Sequence, residues 1–203
     1  MVKPTSLAEL KEHTFLAKRL DGLTRALMSE PDASALWIGA GVSAKYAGLP
    51  TWSKFLWELL ETHVPRESRD FGLMSSLLDS GRLALAAECL QEVMGSKVRD
   101  ALVDQMGASS RRIPDEISYL GVRDVITTNY DLVLEASLRG YQMLLPSSGL
   151  AKLLSNDFKI VKIHGSVANP DSCVLSLTNY VRAYNVNLNW YLTNIFSTCS
   201  VVF

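Results

Sequence analysis

Three short stretches hold the side chains best suited to chemistry. They are Gly39, Ala40, Gly41 and Ser43 in "GAGVS", Thr128, Asn129 and Asp131 in "TTNYD", and His164, Gly165 and Ser166 in "IHGS". A glycine turn that opens a helix offers backbone N–H groups to phosphate oxygens. An Asn supplies a donor and an acceptor on one amide, and a His followed by Gly reads as an exposed imidazole titrating near neutrality. Together they describe a nucleotide site with an acid/base group. Each also has a plainer reading. The glycines could serve a turn that needs positive φ, Asn129 could cap a helix, His164 could be a hydrogen-bonded strand-end histidine, and Asp131 could complement a helix dipole. Tyr130, Trp37 and Trp52 read as packing residues before ligand-stacking ones.

The elements around these stretches decide whether they can meet. "SALWIG", "RDVITTN" and "FKIVKIHG" are apolar runs that each lead directly into one of the three stretches, a fourth strand is expected at "SCVLSL", and "CSVVF" starts another. Helices intervene. Thr51 is placed to cap "WSKFLWELLETH", with Phe55, Leu56, Leu59 and Leu60 inward, and "FGLMSSLLDS", "RLALAAECLQEVM" and "SKVRDALVDQM" have helical periodicity broken at Gly81 and Gly95. A further amphipathic helix is expected before the first strand, capped by Thr5 or Ser6, carrying Leu7, Leu10, Leu16, Leu20, Leu23 and Leu27 and ended by Pro31. Alternation of this kind predicts an α/β, Rossmann-like fold with a mostly parallel sheet flanked by helices and a helical insertion between the first and second strands. The expected division is one domain over 1–203, with a core at 33–70 and 120–203 and the insertion at 71–119. In a parallel sheet the residues just after each strand converge on one rim, where ligands bind.

Gly39, Gly41 and Ala44 spell G-x-G-x-x-A, a formal match to the dinucleotide fingerprint. In a hydride-transfer fold an acidic residue at the end of a second strand follows about twenty residues later. Here that window falls on Glu58 and Glu61, inside an amphipathic helix, which weakens the dehydrogenase reading.

Bulk composition narrows the remaining classes. The chain has 203 residues, 48% of them hydrophobic, and 20 basic against 21 acidic side chains for a net charge of −1. Nothing here favours general attraction to a polyanion, and the closest approach to a basic run, the pair Arg111 and Arg112, sits in an expected loop, so direct nucleic-acid binding is not indicated. Cys89, Cys173 and Cys199 form no C-x-x-C and no even set, which argues against a zinc ribbon or disulfide framework and for a reducing cytoplasmic setting. No apolar run approaches the roughly 18 residues of a membrane span.

"GAGVS", "TTNYD" and "KIHGS", in this order, resemble the motifs of the sirtuin family, and the resemblance runs from about Ser34 onward. The wording "AGLPTW" is most similar to bacterial sirtuin-like domains that hydrolyse NAD in anti-phage defence. Protein deacylases of the family carry an Asp-Phe-Arg-like continuation after that proline and a four-cysteine zinc module after the His-Gly motif. This chain has Thr51 and Trp52 at the first place and only Cys173 at the second. The resemblance therefore implies NAD as substrate, no metal and no zinc module. Asn129 would orient the attacking water and the ribose, Asp131 would hold the carboxamide and His164 would act as general base. Gly39, Ala40, Gly41 and Ser43 would line the pyrophosphate, with Thr128, Gly165 and Ser166 as further NAD-binding residues. A non-catalytic NAD or ADP-ribose sensor module and an NAD-dependent protein deacylase are the alternatives. The family pattern continues past a strand like "CSVVF" into a glycine turn, so the chain is expected to be an N-terminal fragment of a longer protein. Activation by a homo-oligomer or a partner protein or domain is expected too, with 71–106 as a candidate assembly face.

Overall fold

Apolar β-branched runs seat the sheet. In the computed structural model, which describes residues 22, 34–107, 112–114, 117 and 120–203, five strands lie in one all-parallel sheet. In chain order they are β1 (Ser34–Ile38), β2 (Asp124–Thr127), β3 (Gln142–Leu144), β4 (Lys159–Lys162) and β5 (Ser200–Val202). Their spatial order is β3-β4-β2-β1-β5, so the chain builds one side of β1 and then crosses to the other for β5. The expected N-terminal helix and Arg111 lie outside the described residues.

Strand periodicity sorts the sheet's side chains onto two buried faces, as an all-parallel sheet requires. Val125 and Ile160 pack on one face with Ala47 of α1 (Ala40–Ala47) and with Val133 and Leu134 of α6 (Val133–Ser137). Ile126 and Val161 pack on the other with Leu188, Tyr191 and Ile195 of α9 (Val186–Thr198). Among the described residues, four further helices lie between β1 and β2: α2 (Trp52–His63), α3 (Arg69–Asp79), α4 (Leu83–Met94) and α5 (Lys97–Gly107). These make their own core. Phe55, Leu56, Leu59 and Leu60 of α2 are buried among Met74, Leu78, Leu90 and Leu102, and the Thr51 hydroxyl accepts the Lys54 N–H at 3.4 Å to start α2. Leu175 and Cys173 from the loop after β4 join that cluster, which ties the helical layer to the site end of the sheet.

Two expectations change. "SCVLSL" is no strand: Pro170–Ser172 is a 3-10 turn, 173–176 is irregular, and Ser176 caps α8 (Leu177–Ala183). Its apolar residues are nonetheless buried, because Val174 N–H donates to the His164 carbonyl and folds the segment back over the β4 end. The edge strand β3, Gln142–Leu144, is only three residues long, too short for a period to be seen in advance. A short helix, α7 (Leu150–Leu153), links β3 to β4.

The strand β4 also carries Lys159 and Lys162, both almost wholly buried. Each has a counter-charge. Lys159 Nζ lies 3.0 Å from Asp124 Oδ1, which also accepts the Tyr191 hydroxyl at 2.9 Å, and Lys162 Nζ lies 2.9 Å from Glu135 Oε1 and donates to the Asp131 carbonyl.

Candidate active site

The three chemical stretches meet beyond the carboxyl ends of β1, β2 and β4. Thr127 closes the rim: its hydroxyl donates to the Ile38 carbonyl at 2.6 Å and accepts the Asn129 N–H at 3.0 Å, so the chain leaving β2 is pinned to the end of β1. Asn129 Nδ2 then reaches across to the Gly39 carbonyl at 3.2 Å and Ser43 Oγ at 3.0 Å. Asn129 is therefore no helix cap. Its amide joins the glycine turn to the β2 end, while its Oδ1 is buried with no hydrogen-bond partner.

The glycine turn differs from the plain reading. Gly39 is the N-cap of α1 at φ −97° with no side-chain cap, and neither Gly39 nor Gly41 has positive φ. A Cβ at either would meet only open space. The fold itself does not require these glycines, so what they leave open is the approach to the first N–H groups of α1. Gly165 is the opposite case. At φ 87° its added Cβ would lie 2.2 Å from the Ser172 carbonyl oxygen.

Asp131 is buried, with Oδ1 accepting the Val133 N–H at 3.0 Å at the entry to α6 and its carbonyl held by Lys162. His164 departs from the expected exposed imidazole. It is only 9% exposed, and burial pushes its pKa down to about 4. Two tyrosines cover it, one in the following helix and one at its end: Tyr180 meets the ring edge-on at 5.0 Å, and the Tyr184 hydroxyl sits 3.0 Å from Nε2. They follow i, i+4 spacing, Tyr180 in α8 (Leu177–Ala183) and Tyr184 capping its end, and their rings stack at 6.1 Å. That spacing in "NYVRAYN" is the signal by which they could have been found.

A pocket of about 160 Å³ is lined by Ala40, Ser43, Thr128, Asn129, Asp131 and His164, together with Pro50, Trp52, Met106, Tyr130 and Tyr180. Gly39 is not among the lining and is linked to it only by its carbonyl's bond to Asn129. Gly41, Gly165 and Ser166 are not among its lining; Ser166 is fully buried, with its N–H on Ser172 Oγ and its own hydroxyl accepting the Ala168 N–H. Trp52 stands 5.6 Å from Tyr130, whose hydroxyl donates to the Val174 carbonyl at 2.6 Å, so both aromatic walls are packed and face the pocket at once. Met106 brings in the helical layer. Among the described residues no three His, Cys, Asp or Glu side chains are grouped to hold a metal.

Residues 123–203 match the SIR2-like domain. The SIR2-like span contains Asn129, Asp131 and His164 with β2, β3, β4 and β5, and the glycine turn on β1 lies before it. SIR2-like domains use NAD as substrate, and the match supports a sirtuin-like domain with an NAD-related function. No curated protein matches the chain.

Proposed function

We propose that this pocket cleaves the bond between nicotinamide and ribose in NAD, and that the protein is an NAD hydrolase releasing ADP-ribose and nicotinamide. The Asn129 amide carries the reading. Its Nδ2 is fixed by Gly39 and Ser43, while the buried Oδ1 has no protein partner, a condition that costs about 1–3 kcal/mol until a ligand hydroxyl or a water completes it.

Fission of the bond sends its electron pair to the ring nitrogen, and nicotinamide leaves neutral. The barrier lies in the cationic ribosyl centre, a problem shared with glycoside hydrolysis but without the need for a general acid. Asn129 orients the ribose and the attacking water. Asp131 has Oδ1 committed to Val133 N–H, and its second oxygen takes the carboxamide N–H. His164, kept neutral by burial, accepts the proton of the water or of a ribose hydroxyl once Tyr184 yields Nε2. The pyrophosphate lies on Gly39, Ala40, Gly41 and Ser43, with Thr128 beside it.

The same reading makes the protein an abortive-infection effector of bacterial anti-phage defence, acting in the cytoplasm. Its activity then waits for a homo-oligomer or a partner protein, because uncontrolled NAD loss would kill a healthy cell. The Tyr184 contact on His164 favours a second reading, a sensor that binds NAD or ADP-ribose without turnover.

Chromatographic assay of nicotinamide release separates them. Asn129→Ala and His164→Ala should each lower NAD hydrolysis by more than a hundredfold while keeping the folded circular-dichroism spectrum. Full turnover by both variants overturns the hydrolase assignment, and calorimetric NAD binding with no nicotinamide released under any assembly state favours the sensor.

A further inference from the structure

A second pocket, of about 350 Å³, opens on the other side of α8 and shares no lining residue with the first. Its volume lies in the range of small-molecule sites. Helix α8 is the wall between them: Tyr180 faces the first pocket, and Asn179, Arg182 and Ala183 line the second.

The polar lining is biased toward donors. Arg99 and Arg182 contribute two guanidiniums against one carboxylate, Asp171. Arg99 Nη1 pairs with Asp171 at 3.0 Å, but the Asp171 side chain is 91% exposed, so this tie is weak and exchangeable. Arg99 Nε is buried with no partner. Both lining asparagines have their oxygens committed to helix starts: Asn179 Oδ1 accepts the Leu175 and Ser176 N–H groups, and Asn185 Oδ1 accepts the Leu188 N–H. What each has left is its NH₂ group, a donor. Leu145, Ile163 and Val174 supply an apolar face. Cys173 lines the pocket too, yet burial pushes its thiol up to about 11 despite the opposing pull of Arg99, so it is no nucleophile at neutral pH.

A site with two guanidiniums, two amide donors and an apolar face suits a ligand rich in acceptors that carries a dianionic group and a ring. We propose that this pocket binds a small organic phosphate of sugar-phosphate to mononucleotide size, with the phosphate on Arg99 and Arg182. Arg is the residue whose fork geometry matches phosphate oxygens. Because α8 also carries Tyr180, and Tyr184 directly after it, against His164, occupancy of this pocket changes NAD cleavage in the first, a consequence that rests on the function proposed above.

Titration calorimetry on the full chain tests the binding directly, with adenosine monophosphate, ribose 5-phosphate and inorganic phosphate as probes. One of the two organic phosphates should bind at one per chain, at least tenfold tighter than inorganic phosphate. Arg182→Glu, an exposed substitution on α8, should weaken it at least tenfold, Arg99→Gln should weaken it too, and Asn129→Ala should leave it unchanged. The proposal fails if neither organic phosphate binds, if inorganic phosphate binds as tightly, or if Asn129→Ala abolishes binding that Arg182→Glu preserves. Absence of this binding in an unmodified protein that cleaves NAD counts against the second pocket alone, and binding in a protein that never cleaves NAD counts against the hydrolase reading alone.

Discussion

Asn129, just after β2, and Ser43, in the helix that follows β1, are joined by a 3.0 Å hydrogen bond from Nδ2 to Oγ. Both acceptors of the amide, the Gly39 carbonyl and the Ser43 hydroxyl, come from the segment after β1, while the amide itself comes from the end of β2. Ser43→Ala leaves one of the two amide bonds. It should cost about 1 kcal/mol of stability, as a typical net hydrogen bond does, and lower NAD cleavage about tenfold or more through kcat. An unchanged kcat would remove Ser43 from the positioning of Asn129.

The glycines separate fold from ligand. Gly41 lies in α1 with negative φ and open space around its missing Cβ, so Gly41→Ala should leave stability unchanged or raise it by about 0.5–1 kcal/mol. NAD affinity should fall in the same variant, because the methyl group stands where a phosphate would approach. Gly165→Ala should behave differently, losing roughly 3 kcal/mol or more from the backbone strain and the clash with Ser172. Urea unfolding and NAD calorimetry on the two variants check the contrast.

For His164 the pH dependence has a definite sign. Its folded pKa of about 4 lies below the ordinary 6.5, so the unfolded chain binds the extra proton first and stability falls as pH drops from about 6.5 toward 4. The loss across that window amounts to roughly 3 kcal/mol. His164→Asn should show a shallower fall of stability between pH 7 and pH 4.5 in urea titrations. The hydrolysis rate should stay level from pH 8 to about 5, and a midpoint near 6.5 would show that the imidazole is solvated in the active form.

Lys162 and Glu135 make a buried pair beneath Asp131. Lys162→Met leaves the Glu135 carboxylate without its cation and frees the Asp131 carbonyl, and should destabilise by about 3–5 kcal/mol. The double variant Lys162→Met with Glu135→Leu should recover most of that in thermal unfolding, yet NAD cleavage should stay low if the Asp131 loop needs the lysine. Recovery of both together would leave the pair no part in placing Asp131.

Much of this was readable from residue order, and the failures have physical causes. Val125, Ile126, Ile160 and Val161 mark their strands because a doubly covered parallel sheet needs apolar residues on both faces. The segment holding Cys173, Val174 and Leu175 looks the same by that criterion, but its burial comes from lying under the helical layer as a loop, which periodicity cannot distinguish from a strand. Asn129, Asp131 and His164 were visible as strand-end residues. The environment of His164 was not, since it is made by Tyr180 and Tyr184, placed by the α8 start at Ser176 and anchored by Glu88, which takes the Thr178 N–H and hydroxyl at 3.0 and 2.7 Å. The buried lysines of β4 were equally hidden, because their counter-charges come from other elements.

The place of β1 between β2 and β5 bears on how the chain is made. Its partner β2 arrives only after the whole helical layer, and its other edge is unpaired until Ser34 meets Ser200. On the ribosome this interior strand therefore waits with an open edge while most of the chain is synthesised. Such non-local pairing folds slowly, and an open apolar strand edge is a template for aggregation. Synthesis rate and chaperone supply should govern the yield of soluble protein more strongly than its final stability does.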